Sequence, residues 1–294
     1  MSAIILLHLI VFSSIASRAA SASDDLTGFV YAGCSQPKYT PGSPYQLNVD
    51  SLLSSIANDA TYSSYANLTS AAAASSTPVD GLFQCRGDLP TTDCSSCVRS
   101  ALSQLSSFCP FAAGAAVQLR GCFIRYGNDS FIGKPDTSLL FKKCGDPAAG
   151  GGYNSDQLGM RDAALAGLST SGGGGSAGSY RVGAAGYVQA MAQCVGDQGG
   201  KQCDDCVAAA VAQLKAACGF AVAGDVYLGK CYARFWSNGN GGGSGGGGYN
   251  YNSNHYHGDE AGKTVAIIIG LIAGVALIII FLSFLRRAGN YGKE

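Results

Sequence analysis

The sequence predicts an α+β protein with two tandem disulfide-rich domains, each with two helices packed on an antiparallel sheet, followed by one C-terminal transmembrane helix. Three observations support this prediction: cysteines that repeat with constant spacing, an apolar leader, and a long uncharged apolar block near the C-terminus. The chain of 294 residues divides accordingly. The segments are a signal peptide (1–23), a first domain (24–135), a second domain (136–238), a Gly-rich extracellular stalk (239–263), the transmembrane helix (264–285) and a cytoplasmic tail (286–294).

The two ends of the chain predict its topology. An apolar run from Ala3 to about Phe12 precedes small residues, as in a secretory signal peptide; no Lys or Arg precedes the run, and an ordinary buried helix is the alternative. The block Val265–Leu285 is long and apolar enough to cross a bilayer as a helix. Arg286 and Arg287 follow it directly, so the positive-inside rule places the C-terminus in the cytoplasm. We therefore expect a single-pass type I membrane protein whose short tail cannot hold a kinase.

The twelve cysteines form two sets of six, all in the exported part of the chain. Five of them recur 109 residues further on, and Cys34 recurs 110 residues further on as Cys144. The equivalent pairs are Cys34 and Cys144, Cys85 and Cys194, Cys94 and Cys203, Cys97 and Cys206, Cys109 and Cys218, and Cys122 and Cys231. Flanking residues repeat as well, including the Gln before Cys85 and before Cys194. The pattern indicates a tandem duplication of one domain.

The cysteines are predicted to form structural disulfides, because an even number in an exported chain favours pairing. The only histidines are His8, His255 and His257, which lie outside both domains, so a zinc site lacks its usual partners and we expect no metal or cofactor. Without histidine, and with scattered carboxylates, the domains offer no catalytic constellation, and we expect no enzymatic activity. A formal charge of zero with no basic cluster argues against a nucleic-acid partner.

Apolar spacing predicts the elements of each domain. In the first domain a helical stripe covers 45–60 and another covers 92–108, and residues 79–85 and 115–126 show strand patterns. Phe131 and Ile132 suggest one further strand. The second domain is expected to repeat this arrangement, with helices at 156–168 and 203–217 and strands at 225–228 and 231–236. Only about twenty residues separate Cys122 from Cys144, so we expect the two domains to pack as a rigid pair.

The cysteine spacing resembles that of the plant DUF26 domain, which is also called the ginkbilobin-like or stress-antifungal domain. The pattern Cys-x8-Cys-x2-Cys, then Cys-x11-Cys and Cys-x12-Cys, occurs twice within residues 26–236. Together with the predicted signal peptide, membrane helix and short tail, this architecture is similar to that of the plasmodesmata-located proteins. The related cysteine-rich receptor-like kinases would continue into a kinase domain.

The resemblance implies a disulfide pairing that the residues alone leave open, since six cysteines allow 15 pairings. The implied pairs are Cys34 with Cys109, Cys85 with Cys94, Cys97 with Cys122, Cys144 with Cys218, Cys194 with Cys203, and Cys206 with Cys231. A single-domain antifungal relative binds mannose through an Asn, an Arg and a Glu. The corresponding places hold Ser35, Ala116 and Gly127 in the first domain and Gly145, Asp225 and Trp236 in the second, so neither domain keeps that set.

The resemblance also implies a function. It predicts a non-enzymatic adaptor or co-receptor in the plasma membrane at plasmodesmata, with the N-terminus outside the cell, that modulates callose deposition and cell-to-cell movement. Receptor-like kinases, callose synthase and viral movement proteins are the implied partners. Two alternatives stay open. One is a lectin-like binder of wall or microbial glycans at the cell surface, and the other is a kinase-less relative of the cysteine-rich receptor-like kinases at the plasma membrane.

Three further motifs bear on modification and assembly. Asn67 and Asn128 begin N-glycosylation sequons on the exported side. Gly270 and Gly274 form a G-x-x-x-G motif in the predicted membrane helix, which favours self-association of such helices into a homo-oligomer. The stalk is rich in Gly, Asn and Tyr and shows no core-forming pattern, so we expect a flexible tether.

Overall fold

Two five-stranded antiparallel sheets, one for each cysteine repeat, form the framework of the protein. A computed structural model describes residues 25–71, 77–146, 155–169 and 180–237. The strands are β1 Phe29–Cys34, β2 Tyr65–Ser70, β3 Val79–Cys85, β4 Ala115–Leu119, β5 Cys122–Gly127, β6 Leu139–Cys144, β7 Arg181–Ala185, β8 Val188–Cys194, β9 Ala223–Leu228 and β10 Cys231–Ser237. The strand order is β1-β4-β5-β3-β2 in the first sheet and β6-β9-β10-β8-β7 in the second. The two sheets therefore have the same topology.

Four helices accompany the sheets in the described part of the chain, two in each repeat. They are α1 Pro44–Asp59, α2 Thr91–Phe108, α3 Ser155–Ala166 and α4 Gly200–Ala217. Helix α1 begins after Ser43, whose hydroxyl accepts a hydrogen bond from the Gln46 amide at 3.4 Å, and Pro44 suits the first turn because it lacks an N–H. Helix α2 begins after Pro90 and places Cys94, Cys97 and other small or apolar residues on its buried face.

Each repeat has a core between its helices and one face of its sheet. In the first repeat Ile56, Val98, Phe83 and Ile124 are fully buried there. The second repeat buries an equivalent set, and Phe235 takes part in it. Because successive residues of a strand point to opposite faces, the strands carry a second set of side chains on the face away from the helices. Those side chains form the contact between the two repeats.

The predicted α+β architecture of two tandem domains is confirmed. The predicted helices, and the strands for which bounds were predicted, begin and end within a few residues of those bounds, and the pattern over 115–126 proves to be two strands, β4 and β5. Strand β8 had no predicted bounds. The strand predicted at Phe131 and Ile132 is wrong, because this segment is a loop. Phe131 is nevertheless buried, since it packs with Leu82, Phe123 and Val195 between the repeats. Its apolar character reflects burial at an interface, not a strand.

Several predicted segments lie outside the described residues: the signal peptide, the stalk, the membrane span and the cytoplasmic tail. Within the described ranges, none of the helices is both long and apolar enough to span a membrane.

Candidate functional site

The contact between the repeats is reciprocal, with equivalent residues of the two copies making equivalent hydrogen bonds. The Gln84 side-chain oxygen accepts a hydrogen bond from the Gly196 amide at 3.0 Å. In the same way, the Gln193 side-chain oxygen accepts one from the Gly87 amide at 3.2 Å. The Gln193 amide group also donates to the carbonyl of Cys85 at 3.0 Å. The bond from Gln193 to the Cys85 carbonyl pairs polar groups that are buried between the repeats.

Two tyrosines fill the equivalent positions beside these glycines. Tyr65 lies opposite Gln84 in the first sheet, and Tyr180 takes the corresponding place in the second, one residue before Arg181. A Cβ atom on Gly196 would lie 2.8 Å from the Tyr65 ring, and one on Gly87 would lie 2.5 Å from Cβ of Tyr180. Glycine is therefore required at both positions for close approach, and each repeat supplies one ring and one glycine.

An aromatic cluster occupies the centre of the interface. Tyr31 of β1 stacks on Phe141, its equivalent in β6, with ring centroids 6.4 Å apart. Tyr227 contacts Tyr31 at 6.0 Å and Tyr232 at 5.2 Å. Burial raises the pKa of Tyr227 to about 12, and it also raises the pKa of Tyr31 and of Tyr232. All three tyrosines therefore stay neutral at physiological pH.

One polar feature breaks the equivalence of the two repeats. Lys230 occupies the place of Gly121 and forms a buried ion pair with Asp197. Its ammonium group also donates to the carbonyl of Phe131 at 3.0 Å, and Asp197 accepts a second hydrogen bond from the Gly133 amide at 2.9 Å. The ion pair thus holds the segment that leaves the first repeat against the second repeat. A buried pair of this kind is expected to specify the relative position of its elements more than to add stability.

A small cavity remains between the repeats, with a volume of about 30 Å³. Most of its lining surface is apolar, and Arg86, Arg120, Gln118, Gln193 and Tyr232 contribute polar groups to it. A space of this size holds roughly one or two water molecules, whereas small-molecule sites usually measure about 300 Å³ or more. The cavity is large enough for water and too small for a sugar ring.

The positions that correspond to the mannose contacts hold few available polar groups. In the first repeat the Ser35 hydroxyl donates to the Pro37 carbonyl at 3.0 Å and accepts from the Gly114 amide at 2.9 Å, while Ala116 and Gly127 have no polar side chain. In the second repeat Asp225 accepts a hydrogen bond from Nε of Arg234 at 2.6 Å. The structure therefore offers no counterpart of that sugar site at these positions.

The remaining residues singled out by the sequence fall into three groups. All twelve cysteines form disulfides within their own repeat: Cys34–Cys109, Cys85–Cys94, Cys97–Cys122, Cys144–Cys218, Cys194–Cys203 and Cys206–Cys231. These are the pairs that the resemblance implies. Asn67 lies on edge strand β2 and Asn128 directly follows β5, and both are exposed. Gly270 and Gly274 lie outside the described residues.

The interface residues were not predicted as a site, although the sequence contains a signal for some of them. Gln84 and Gly87 recur around the second set of cysteines as Gln193 and Gly196. Repetition of polar and glycine residues beside the cysteines indicates a shared structural role. Lys230 gives no such signal, because its counterpart is a glycine.

Comparison with known proteins gives consistent results. A family model described as salt stress response/antifungal matches residues 33–129 and 153–238. Plasmodesmata-located protein 7 of Arabidopsis thaliana is 46% identical over 278 residues, which cover 95% of this chain and 88% of the relative. Plasmodesmata-located protein 6 of the same plant is 45% identical over 268 residues, which cover 90% of each chain.

A solved structure matches as well. The crystal structure of the tandem DUF26 ectodomain from the Arabidopsis thaliana cysteine-rich receptor-like protein PDLP8 is 42% identical, with a TM-score of 0.67. The match covers 72% of this chain and 100% of the crystallised one. The tandem ectodomain of that relative therefore folds on its own.

Proposed function

This chain belongs to the family of plasmodesmata-located proteins, and from that premise we propose that it is a non-enzymatic, membrane-anchored adaptor or co-receptor at plasmodesmata. In this role it modulates callose deposition and thereby cell-to-cell movement. The observation that supports the proposal most is the 46% identity that extends over 95% of the chain, because it includes the regions outside the ectodomain. The anchor is the apolar block Val265–Leu285, with the ectodomain outside the cell.

The ectodomain has the properties of a binding module. Its twelve cysteines are in disulfides, and the cavity between the repeats has room for about two water molecules. Neither feature provides a nucleophile or a substrate pocket. The reciprocal contacts hold the two repeats in one fixed arrangement, which suits a surface that recruits partners. Receptor-like kinases and callose synthase are the partner classes that we propose.

The membrane helix supplies a second means of association. Gly270 and Gly274 would allow two helices to approach closely within the bilayer. Replacement of both glycines by Leu should lower energy transfer between tagged copies in membranes, whereas Leu271→Ile, which keeps an apolar side chain of the same volume, should leave it unchanged. An equal signal in the Gly270→Leu, Gly274→Leu variant would show that this motif is not the contact.

Imaging in leaf epidermis tests the main proposal. A fluorescent tag after Glu294 should give puncta that coincide with callose at the wall, and altered levels of the protein should change both callose staining and movement of a diffusible reporter. An even outline along the plasma membrane would favour a kinase-less relative of the cysteine-rich receptor-like kinases. Puncta without any effect on callose or movement would reject the proposed role while keeping the location.

A further inference from the structure

Each sheet has two edge strands, and one equivalent pair of edges carries different residues at equivalent positions. Strand β2 forms this edge in the first sheet and β7 forms it in the second. Asn67 pairs with Leu82, and Val182 pairs with Met191, the residue equivalent to Leu82. By the same register Thr69 corresponds to Ala184. The two residues that define the sequon in β2 are therefore replaced by two small apolar residues in β7.

Within the described residues, the backbone N–H and C=O groups of Val182 and Ala184 in β7 have no hydrogen-bonding partner. Strands β7 and β8 form a hairpin in which Ala185 pairs with Val188 across a two-residue turn. The closing pair of such a hairpin exchanges both hydrogen bonds, and bonded pairs then alternate along the ladder. Gly183 and Arg181 consequently bond to β8. The N–H and C=O groups of Val182 and Ala184 point away from β8, toward the free edge.

The side chains of β7 leave this edge open. Val182 is 66% exposed, and Ala184 is exposed as well. The single charged residue of the strand, Arg181, is 7% exposed, because its guanidinium group turns inward to the Leu168 carbonyl at 3.1 Å and to Asp204. The edge has none of the outward charges or prolines that usually prevent pairing between sheets. On β2, by contrast, a glycan on exposed Asn67 would obstruct the approach of another strand.

We propose that β7 is a self-association site, at which the edge strand pairs antiparallel with β7 of a second copy of this chain. A register centred on Gly183 places Val182 of each copy opposite Ala184 of the other. The outward N–H and C=O groups of these residues then form four hydrogen bonds between the copies. No like charges meet, because the residues brought together are uncharged. The strand is thus complementary to itself in both hydrogen bonding and charge.

This contact produces a closed dimer. Antiparallel pairing of the same strand from both copies is an isologous contact related by a twofold axis. The β7 edges of both copies are then occupied, so no third copy can add to them. The contact is small by the standard of stable interfaces, and the free ectodomain should dimerise weakly. Two copies tethered to one membrane have a raised effective concentration, which favours a weak contact of this kind. The inference concerns the ectodomain surface and does not depend on the location proposed above.

Sedimentation of the glycosylated ectodomain, residues 24–238, tests the inference at protein concentrations up to about 1 mM, the effective concentration that a short tether supplies. We expect a monomer–dimer equilibrium. Ala184→Pro removes one outward N–H from each copy and keeps the bonds to β8. An edge strand tolerates proline at a position of this kind, where the N–H faces away from the sheet. The loss of two of the four hydrogen bonds should weaken dimerisation about thirtyfold.

Two substitutions of Val182 serve as a matched pair. Val182→Lys places a charge at the paired edge and should abolish the dimer, whereas Val182→Thr keeps the branched shape and should retain it. Circular dichroism and the thermal midpoint of each variant verify that the fold is intact. A wild-type ectodomain that remains monomeric throughout would overturn the inference. A dimer of unchanged strength in Ala184→Pro and Val182→Lys would do the same, by showing that another surface is used.

Discussion

Lys230 and Asp197 form an ion pair inside the repeat interface, where each side chain is only 2% exposed. The equivalent of Asp197 in the first repeat is Asp88, which pairs with Arg86 and is 40% exposed. Two carboxylates at corresponding positions therefore lie in different surroundings. Unlike the Asp88–Arg86 pair, the pair with Lys230 connects the end of the first repeat, at Phe131 and Gly133, to the second repeat.

The difference between these two carboxylates leads to a prediction about stability. Lys230→Met leaves the buried carboxylate of Asp197 without its cation, and we expect the free energy of unfolding to fall by about 3–5 kcal/mol. Asp88→Asn should cost less, because the Asp88 side chain is 40% exposed, although its partner Arg86 is only 8% exposed. Urea unfolding of the ectodomain measures both. Similar losses in the two variants would mean that water reaches Asp197 and that the pair is not buried in solution.

The glycines at the interface lead to a second prediction. Gly87→Ala and Gly196→Ala each force a methyl group into a tyrosine of the other repeat, so each should lower stability by about 1–3 kcal/mol. Gly33→Ala is the matched control, since a Cβ at that position meets nothing within 4 Å. The thermal midpoint reports the change. If Gly33→Ala lowers the midpoint as much as the other two, close approach between the repeats is not the cause.

The sequence predicted elements with strong apolar patterns and missed those without them. Helix α1 was expected at 45–60 and spans Pro44–Asp59, because its apolar residues recur at helical spacing. The four outer strands were not predicted. Strand β7, with the sequence RVGAA, is short and contains a single β-branched residue, so its propensity for strand is weak. Its place in the sheet depends on pairing with β8.

The interface could be predicted only in part, for a similar reason. Close packing of the repeats follows from the short connection between Cys122 and Cys144. Which residues meet depends on the relative orientation of two folded sheets, and no local pattern encodes this. Phe131 illustrates the limit: its apolar character was recognised, yet its partners Leu82 and Val195 lie far away in sequence. Burial between domains depends on tertiary structure. The spacing of apolar residues, every two in a strand or every 3.6 in a helix, does not indicate it.

The disulfides allow a prediction that compares the two repeats directly. Cys34–Cys109 and Cys144–Cys218 close loops of nearly equal length, with sequence separations of 75 and 74. Loop entropy then gives each a stabilisation of about 4 kcal/mol. Replacing both cysteines of either pair by Ala should cost this amount, and the two costs should be equal within error. Unequal costs in guanidinium unfolding would show that packing around the bond, and not chain entropy, dominates in one repeat.

The buried tyrosines predict a loss of stability at alkaline pH. Burial raises the pKa of Tyr227 to about 12, while a tyrosine in the unfolded chain ionises near 10. Between these values the unfolded state has lost the proton and the folded state has kept it. The contribution of Tyr227 to the free energy of unfolding is therefore fully present below about pH 10 and is lost as the pH rises toward 12.

The size of this effect is testable on the same residue. One such group contributes a slope of about 1.4 kcal/mol per pH unit to the free energy of unfolding. Tyr31 and Tyr232 act in the same direction, because burial raises the pKa of each. In Tyr227→Phe the slope of the free energy of unfolding against pH, above pH 10, should decrease by the contribution of one group. Tyrosinate absorbance should show one fewer tyrosine that titrates above the usual pH. An unchanged slope in this variant would mean that the Tyr227 hydroxyl ionises near pH 10 in the folded protein as well, as it would if the interface opened locally before the domains unfold.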